Sequence, residues 1–347
     1  MWEPPETARP GRRCFLQMTL GTALTGAAGW SRPASSQAPP RWRVGFANIT
    51  EDPAERLEGL GFTGLEVRAS FVYAARLSRC EMVFFDNAGG REKALANAAD
   101  AVHQKLDLYI QYCSDENANV EVGRRLGAAG IPVLAISHPV PGAPLYTADN
   151  SRAGRIAGEA LASFGRDTWP GERMAAVILG AVTDQPTGAA ERADGAAAAL
   201  QQRLPEADQV RLDSAGNPGK AEGLLRRFAA EQTGAKLLVA ALDDATALSA
   251  KAAVDAVSRT TDTVIVSQGC DPSMHGGFND KKELDPQNRA SIVLGSVGYF
   301  LDRYGYDVLP LAQRLLSGEA PPARTTTQHV LVTAQNVFRV YPPIDMN

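Results

Sequence analysis

The chain has 347 residues, of which 44% are hydrophobic and 21% are charged, and its formal net charge is −4. This length and composition predict a globular protein with two domains. The slightly acidic balance gives no indication of a surface that binds nucleic acid. No run of about 20 apolar residues follows residue 40, so the body of the chain is predicted to have no membrane-spanning helix.

The first 38 residues have the plan of an export signal. The pair Arg12-Arg13 precedes an uncharged stretch from Met18 to Ser31, and a tail of small residues ends at Ala38. The pair and the Phe15-Leu16 behind it resemble the twin-arginine signal, which delivers folded proteins across a membrane. An uncleaved anchor is the alternative, but a stretch rich in Gly, Thr and Ala makes a poor span. We therefore expect residues 1–38 to be a twin-arginine signal and the mature protein to be periplasmic.

After the signal, apolar runs alternate with amphipathic helical stretches, which predicts parallel sheets covered by helices. The first half has predicted strands and helices at Arg43–Ile49, Met82–Phe85, Glu92–Gln104, Leu108–Tyr112, Asn117–Ala129, Val133–Ile136, Leu145–Thr147 and Arg152–Phe164. The second half repeats the pattern at Ala175–Leu179, Ala189–Gln202, Val210–Leu212, Lys220–Glu231, Leu237–Ala241, Ala245–Ser258, Val264–Ser267 and Ser291–Leu294. The sequence thus predicts two similar α/β units in tandem.

One glycine motif in the first unit has two interpretations. Gly59-Leu60-Gly61-Phe62-Thr63-Gly64 has the spacing of a dinucleotide-binding fingerprint. That fingerprint must follow a strand directly, because its glycines form the turn from strand to helix. The preceding residues, from Pro53 to Glu58, are largely charged and do not alternate like a strand. We therefore interpret the motif as a glycine-rich loop and expect no cofactor.

The cysteines and histidines give no signal of a disulfide framework or a metal site. Three cysteines follow the predicted signal, Cys80, Cys113 and Cys270, and their spacing fits no metal site. Cys80 and Cys113 are predicted at opposite ends of a sheet, too far apart to bridge. The four histidines are scattered along the chain. We expect free, buried thiols and no bound metal.

Small polar clusters follow several predicted strands in both units. Examples are Ala47-Asn48, Asp149-Asn150, Asp243-Asp244 and Cys270-Asp271. Such residues often cap the next helix by accepting its free backbone N–H bonds. In open parallel sheets, ligands also bind outside the carboxyl ends of the strands. Because both units carry these clusters, two facing rims are expected to line a polar cleft.

Three segments resemble the periplasmic sugar-binding protein family, also called type 1 periplasmic binding proteins. They run from Gly130 to Glu159, from Leu242 to Leu248 and from Gly295 to Val337. Their order and spacing extend the resemblance to nearly all of residues 43–341. The resemblance implies an α/β fold of two doubly wound parallel-sheet lobes joined by a three-crossing hinge. It places the N-terminal lobe at residues 40–148 plus 296–326 and the C-terminal lobe at residues 149–295 plus 327–347.

The resemblance also implies which residues contact a ligand. Arg192 matches the family's ligand-binding arginine, and a guanidinium can fork onto two hydroxyls or a carboxylate. Other positions depart from the family: Ser137, followed by His138, stands where an Asp is usual, and Asp52 lies where aromatic rings commonly stack. The full set of expected ligand-binding residues is Asn48, Asp52, Ser137, His138, Arg192, Asp243 and Asp271. The departures leave a cyclitol, a modified sugar, a nucleoside-like ligand or an acidic ligand open.

The function that this resemblance implies is ligand capture without catalysis. We expect a monomeric solute-binding protein that takes up a sugar or sugar-like small polar ligand for the membrane permease of an ABC transporter, with no nucleic-acid partner. A receptor for a sensor kinase or chemoreceptor is one alternative, and a secreted enzyme on the same fold is another. Regulators of the lac-repressor family share the two-lobe core, but residues 1–40 offer no helix-turn-helix.

Overall fold

The computed structural model describes residues 42–78, 80–276 and 282–342. The predicted export signal, with Cys14, lies outside the described residues. The elements of the first unit are β1 (Trp42–Asn48), α1 (Gly64–Arg76), β2 (Cys80–Asp86), α2 (Arg91–His103), β3 (Leu108–Gln111), α3 (Glu116–Ala128), β4 (Val133–Ile136) and β5 (Leu145–Thr147). Four of the five strands differ little from the predicted ones, but α1 was not predicted from the sequence.

The second unit follows the same alternation. Its elements are α4 (Asn150–Thr168), β6 (Met174–Gly180), α5 (Ala189–Arg203), β7 (Asp208–Asp213), α6 (Pro218–Glu231), β8 (Lys236–Ala241), α7 (Asp244–Asp255), β9 (Thr263–Gly269), α8 (Pro272–His275) and β10 (Val293–Gly298). The chain then adds α9 (Tyr304–Leu316), β11 (Arg324–Thr326), β12 (Leu331–Val332) and α10 (Val337–Val340).

The strands form two six-stranded sheets. The first has the order β11-β5-β4-β3-β1-β2, and the second has the order β12-β10-β9-β8-β6-β7. All neighbouring pairs are parallel except β10 with β12. Two helix-covered, mostly parallel sheets confirm the predicted fold class.

Both faces of each sheet are buried, which explains the continuous apolar runs in the sequence. In β6 all seven residues are buried, and alternate side chains pack on different helices. Ala176 and Ile178 belong to the cluster with α4 and α5, whereas Val177 and Leu179 belong to the cluster with α6 and α7. The second sheet is therefore a central layer between two helical layers.

The chain passes between the sheets three times: after β5, after β10 and after β11. After the second crossing, α9 packs against α1 of the first unit. The strand β10 extends to Gly298 and pairs with β9, so residues 296–298 belong to the second sheet. The boundary expected at residue 295 lies inside this strand.

The three described cysteines are free and buried, as expected. Cys80 is the first residue of β2, Cys113 follows β3, and Cys270 follows β9. Burial raises the pKa of each of the three thiols. Thiolates are the reactive form of cysteine, so these groups are chemically quiet.

Helices α4 and α5 approach so closely that glycine is required between them. A Cβ at Gly154 would overlap the backbone carbonyl of Arg192, and a Cβ at Gly195 would overlap that of Ser151. This contact fixes the start of α5, which carries Arg192, against the start of α4.

We predict that Gly154→Ala destabilises the protein by about 1–3 kcal/mol, because overpacking a close contact forces backbone shifts. The free energy of unfolding is measured by urea titration. Gly223→Ala in α6 is the matched control, since a Cβ there meets nothing within 4 Å. This control is expected to stabilise by up to about 1 kcal/mol through helix propensity. Equal effects of the two substitutions would contradict the close contact.

Candidate functional site

Two adjoining cavities lie between the lobes. The smaller one, of about 490 Å³, is lined by residues from both lobes and from the first two crossings. The larger one, of about 750 Å³, lies at the carboxyl ends of the strands of the second sheet and faces residues 56–66 of the first lobe. Leu60, Thr187 and Arg192 line both cavities. Their sizes are those of ordinary small-molecule sites.

Arg192 is the charged group common to both cavities, and it is only 1% exposed. Its Nη1 donates long hydrogen bonds to Asn150 Oδ1 at 3.3 Å and to the carbonyl of Thr187 at 3.4 Å. Its Nε has no partner among the described residues. A guanidinium has five N–H donors, and a buried donor without a partner is costly. The side chain is thus prepared to donate to a bound molecule.

Asn150 and Tyr299 hold the guanidinium from two different crossings. The Tyr299 hydroxyl donates to Asn150 Oδ1 at 3.1 Å, and the Arg192 Cζ lies 5.6 Å from the centre of the Tyr299 ring. Burial raises the pKa of Tyr299 to about 12, although the nearby Arg192 opposes the shift. The phenol therefore stays neutral and keeps its proton for Asn150.

His329 connects the three crossings through one imidazole ring. It lies on the third crossing and is 4% exposed. Its Nε2 accepts from the backbone N–H of Asp149 on the first crossing at 3.0 Å, and its Nδ1 lies 2.9 Å from the carbonyl of Gly298 at the second. Because Nε2 accepts, Nδ1 must carry the proton and donate to Gly298. This ring fixes the position of Asn150, the residue that follows Asp149.

Ser137 and His138 line the smaller cavity. His138 Nε2 lies 3.3 Å from Glu58 Oε1, and the His138 ring stacks on Tyr112. Ser137 has a left-handed backbone, with φ of 56°. Both residues come directly after β4, the position at which ligands meet parallel sheets.

Asp243 and Asp271 line the larger cavity, together with Arg192. Both also cap helices: Asp243 accepts from the backbone N–H of Thr246 at 2.7 Å, and Asp271 accepts from that of Ser273 at 2.7 Å. Asp271 further abuts Gly61 of the first lobe, where a Cβ would overlap its carboxylate. Each of these two carboxylates therefore both caps a helix and faces the cavity.

The neighbouring Asp244 holds the backbone of the Asp271 loop in place. It is fully buried and accepts from the Ser267 hydroxyl, from Ser296 Oγ at 2.7 Å and from the backbone N–H of Asp271 at 2.8 Å. Burial raises the pKa of Asp244 well above its ordinary value. Its role is to fix the loop that carries Asp271.

Asn48 and Asp52 take structural roles within the first lobe. Asn48 is fully buried, donates to the carbonyl of Gly64 at 2.8 Å and accepts from the backbone N–H of Ile49 at 3.0 Å. Asp52 is exposed and accepts from the backbone N–H of Ala54 at 2.8 Å, which closes a turn. Their hydrogen bonds stabilise the start of α1 and the loop before it, so the structure does not bring them to the cavities with the other five.

Glu58, Asn150, Tyr299 and His329 are site or hinge residues that were not among the expected ones. Asn150 had a signal, because it belongs to the polar cluster after β5. Glu58 lies beside the glycine motif in a stretch without helical or strand periodicity. Its place in the cleft depends on Tyr112 and His138, which are distant from it in sequence.

Within residues 42–78, 80–276 and 282–342, no group of three or more His, Cys, Asp or Glu side chains is arranged to hold a metal ion. None of the helices in the same ranges combines the length and apolar composition that crossing a bilayer requires.

A polar cleft between two α/β lobes with a three-crossing hinge defines a two-lobe binding protein. Residues 65–320 match a family described as periplasmic binding protein domain. The chain therefore belongs to the periplasmic binding protein family, and the resemblance seen in the sequence is confirmed. No curated protein matches the sequence.

Solved structures with the same fold share little sequence with this chain. A Mycobacterium smegmatis protein in complex with β-D-fucofuranose is 19% identical, with a TM-score of 0.62 over 88% of this chain and 95% of its own. An ABC transporter solute-binding protein from Bacillus halodurans with bound myo-inositol is 18% identical, with a TM-score of 0.61 over 87% and 97%.

A periplasmic solute-binding protein of an ABC transporter from Actinobacillus succinogenes, with bound D-allose, is 12% identical. Its TM-score is 0.65, over 86% of this chain and 99% of its own. At such identities the likeness establishes the fold.

We predict that His329 makes the protein less stable in mild acid. Burial lowers the pKa of His329. The unfolded chain therefore binds a proton first as the pH falls below about 6.5, and the free energy of unfolding decreases by up to about 1.4 kcal/mol per pH unit. In His329→Gln, which can still donate and accept, this part of the pH dependence is lost. Urea titrations between pH 7.5 and pH 5 measure it.

The control is His103→Gln, at the exposed end of α2. Its pH dependence is expected to match that of the unmodified protein. If the free energy of unfolding of His329→Gln also fell with pH as steeply as that of the unmodified protein, the connection between the crossings would not depend on the neutral imidazole.

Proposed function

We propose that the chain is an exported solute-binding protein that captures a sugar or sugar-like ligand between its lobes for an ABC-type importer. The observation that carries the proposal is Arg192, a buried guanidinium that lines both cavities with its Nε unpaired among the described residues. Sugar hydroxyls accept hydrogen bonds from such a group. Family membership and the sugars or myo-inositol bound to the structural relatives support the same class of ligand.

The proposed ligand-binding residues are Ser137, His138, Arg192, Asp243 and Asp271. They come from both lobes, so a ligand that contacts them all favours the state in which the lobes meet. The import partner in this proposal is the permease, which reads that closed state. Export by the twin-arginine route, with removal of about the first 38 residues, and a monomeric mature protein complete the proposal.

A thermal-shift screen against sugars, polyols, nucleosides and sugar acids tests this function. A ligand at about 100 times its Kd adds about 2.7 kcal/mol to the free energy of unfolding and raises the melting temperature by several degrees. We expect a shift with at least one sugar or polyol. No shift with any member of the screen would count against ligand capture.

We predict that Arg192→Met weakens ligand binding at least about tenfold, which corresponds to about 1.4 kcal/mol. Methionine keeps an unbranched chain as far as the position of Nε but removes all five donors. Calorimetric titration with the compound found in the screen measures the change. Arg211→Met is the control, because the Arg211 side chain is 44% exposed and pairs with Asp194 on the surface. If both variants bound like the unmodified protein, Arg192 would not contact the ligand.

A further inference from the structure

The glycine motif of the first lobe runs through the gap between the lobes. Gly59 lies against Thr187 and Gly61 lies against Asp271, both of the second lobe. Leu60 is 3% exposed between them. Small residues are needed here because a Cβ at Gly61 would overlap the Asp271 carboxylate. This segment brings the preceding residue, Glu58, to the wall of the smaller cavity.

The Glu58 carboxylate is held in one orientation. The Tyr112 hydroxyl donates to its Oε1 at 2.8 Å, and His138 Nε2 lies 3.3 Å from the same oxygen. The Glu58 side chain is only 16% exposed. A carboxylate offers about four lone-pair positions, so the contacts with Tyr112, His138 and Ser137 leave acceptor capacity for a bound molecule.

The backbone at Glu58 is unfavourable for a residue with a side chain. Its φ is 55° and its ψ is 24°, in the left-handed region that favours glycine. Ser137, on the same cavity, has a φ of 56°. Strain of this kind is typically found at functional sites, where the surrounding structure maintains it. Glycine at position 58 would relieve the strain but would have no carboxylate. What glutamate adds at this position is therefore its carboxylate.

Glu58 and Arg192 face the same cavity from different lobes. Burial raises the pKa of Glu58, but its interactions with His138 and Tyr112 outweigh that effect, and its pKa lies below the ordinary value. The cavity thus has an acceptor-only carboxylate on one lobe and an unfilled donor on the other. A hydroxyl both donates and accepts, so a polyhydroxylated ligand can satisfy both groups, whereas a ligand carboxylate can only accept.

We propose that Glu58 is a specificity-determining ligand contact that makes the site select neutral polyhydroxylated ligands over anionic ones. This inference rests on the proposed function and narrows its ligand class, because sugar acids are excluded. Arg192 anchors the ligand, and Glu58 accepts from ligand hydroxyls and repels a ligand carboxylate.

Calorimetric titration with two matched pairs tests the inference: D-galactose with D-galacturonate, and D-glucose with D-glucuronate. Each pair differs by oxidation of one CH₂OH group to a carboxylate. The unmodified protein is expected to bind the neutral sugar of at least one pair more tightly than the corresponding acid. In Glu58→Gln, which can still accept from Tyr112, affinity for that sugar falls at least about tenfold, and its preference over the acid falls by a similar factor.

The control is Glu55→Gln, an exposed carboxylate of the same loop, which is expected to leave both affinities unchanged. Unchanged affinities in Glu58→Gln, with binding lost in Arg192→Met, would overturn the role of Glu58 and leave the proposed function intact. The inference is also overturned if the unmodified protein binds the acids more tightly than the neutral sugars. It is overturned as well if the unmodified protein binds none of the four probes. The broader thermal-shift screen still decides the proposed function in that case.

Discussion

The arrangement of the cleft depends on one buried cation. Arg192 is removed from water, yet its described partners are two long hydrogen bonds and the face of Tyr299. A buried charge is stable only when polar groups compensate for lost hydration. The close contact of α4 with α5 and the imidazole that joins the crossings both serve to hold those few groups in place. The rigid parts of the molecule surround a buried guanidinium whose hydrogen bonding is completed only when a polar molecule binds.

Much of the fold was predictable because its signal is local. Strands buried on both faces give short apolar runs, and β4 and β5 begin and end where the sequence indicated. Helix α1 was missed because its start, at Gly64, belongs to a glycine motif that resembles a loop. The structure shows why it is a helix: Thr63 and Glu66 form a reciprocal capping box. The edge strands β11 and β12, of three and two residues, were not predicted from the sequence.

Part of the site was predictable from chain position after a strand, and Arg192 was predicted from the family resemblance. Residues after β4, β8 and β9 lie at the carboxyl ends of parallel strands, so Ser137, His138, Asp243 and Asp271 face the cleft. Asn48 follows β1 in the same way, but its amide is used to hold the first turn of α1. His329 and Glu58 act through partners more than 50 residues away, at Asp149 and Tyr112. Such long-range pairings leave no trace in local patterns.

The outer strands of the sheets affect how the molecules behave beside one another. An open sheet edge presents unpaired backbone groups that can join to another chain. The edge strand β7 carries Asp208, Arg211 and Asp213, and two of these form surface ion pairs with Arg173 and Asp194. Charged side chains along such an edge oppose its pairing with the edge of another sheet. The β7 edge is therefore protected against pairing with a strand of another molecule.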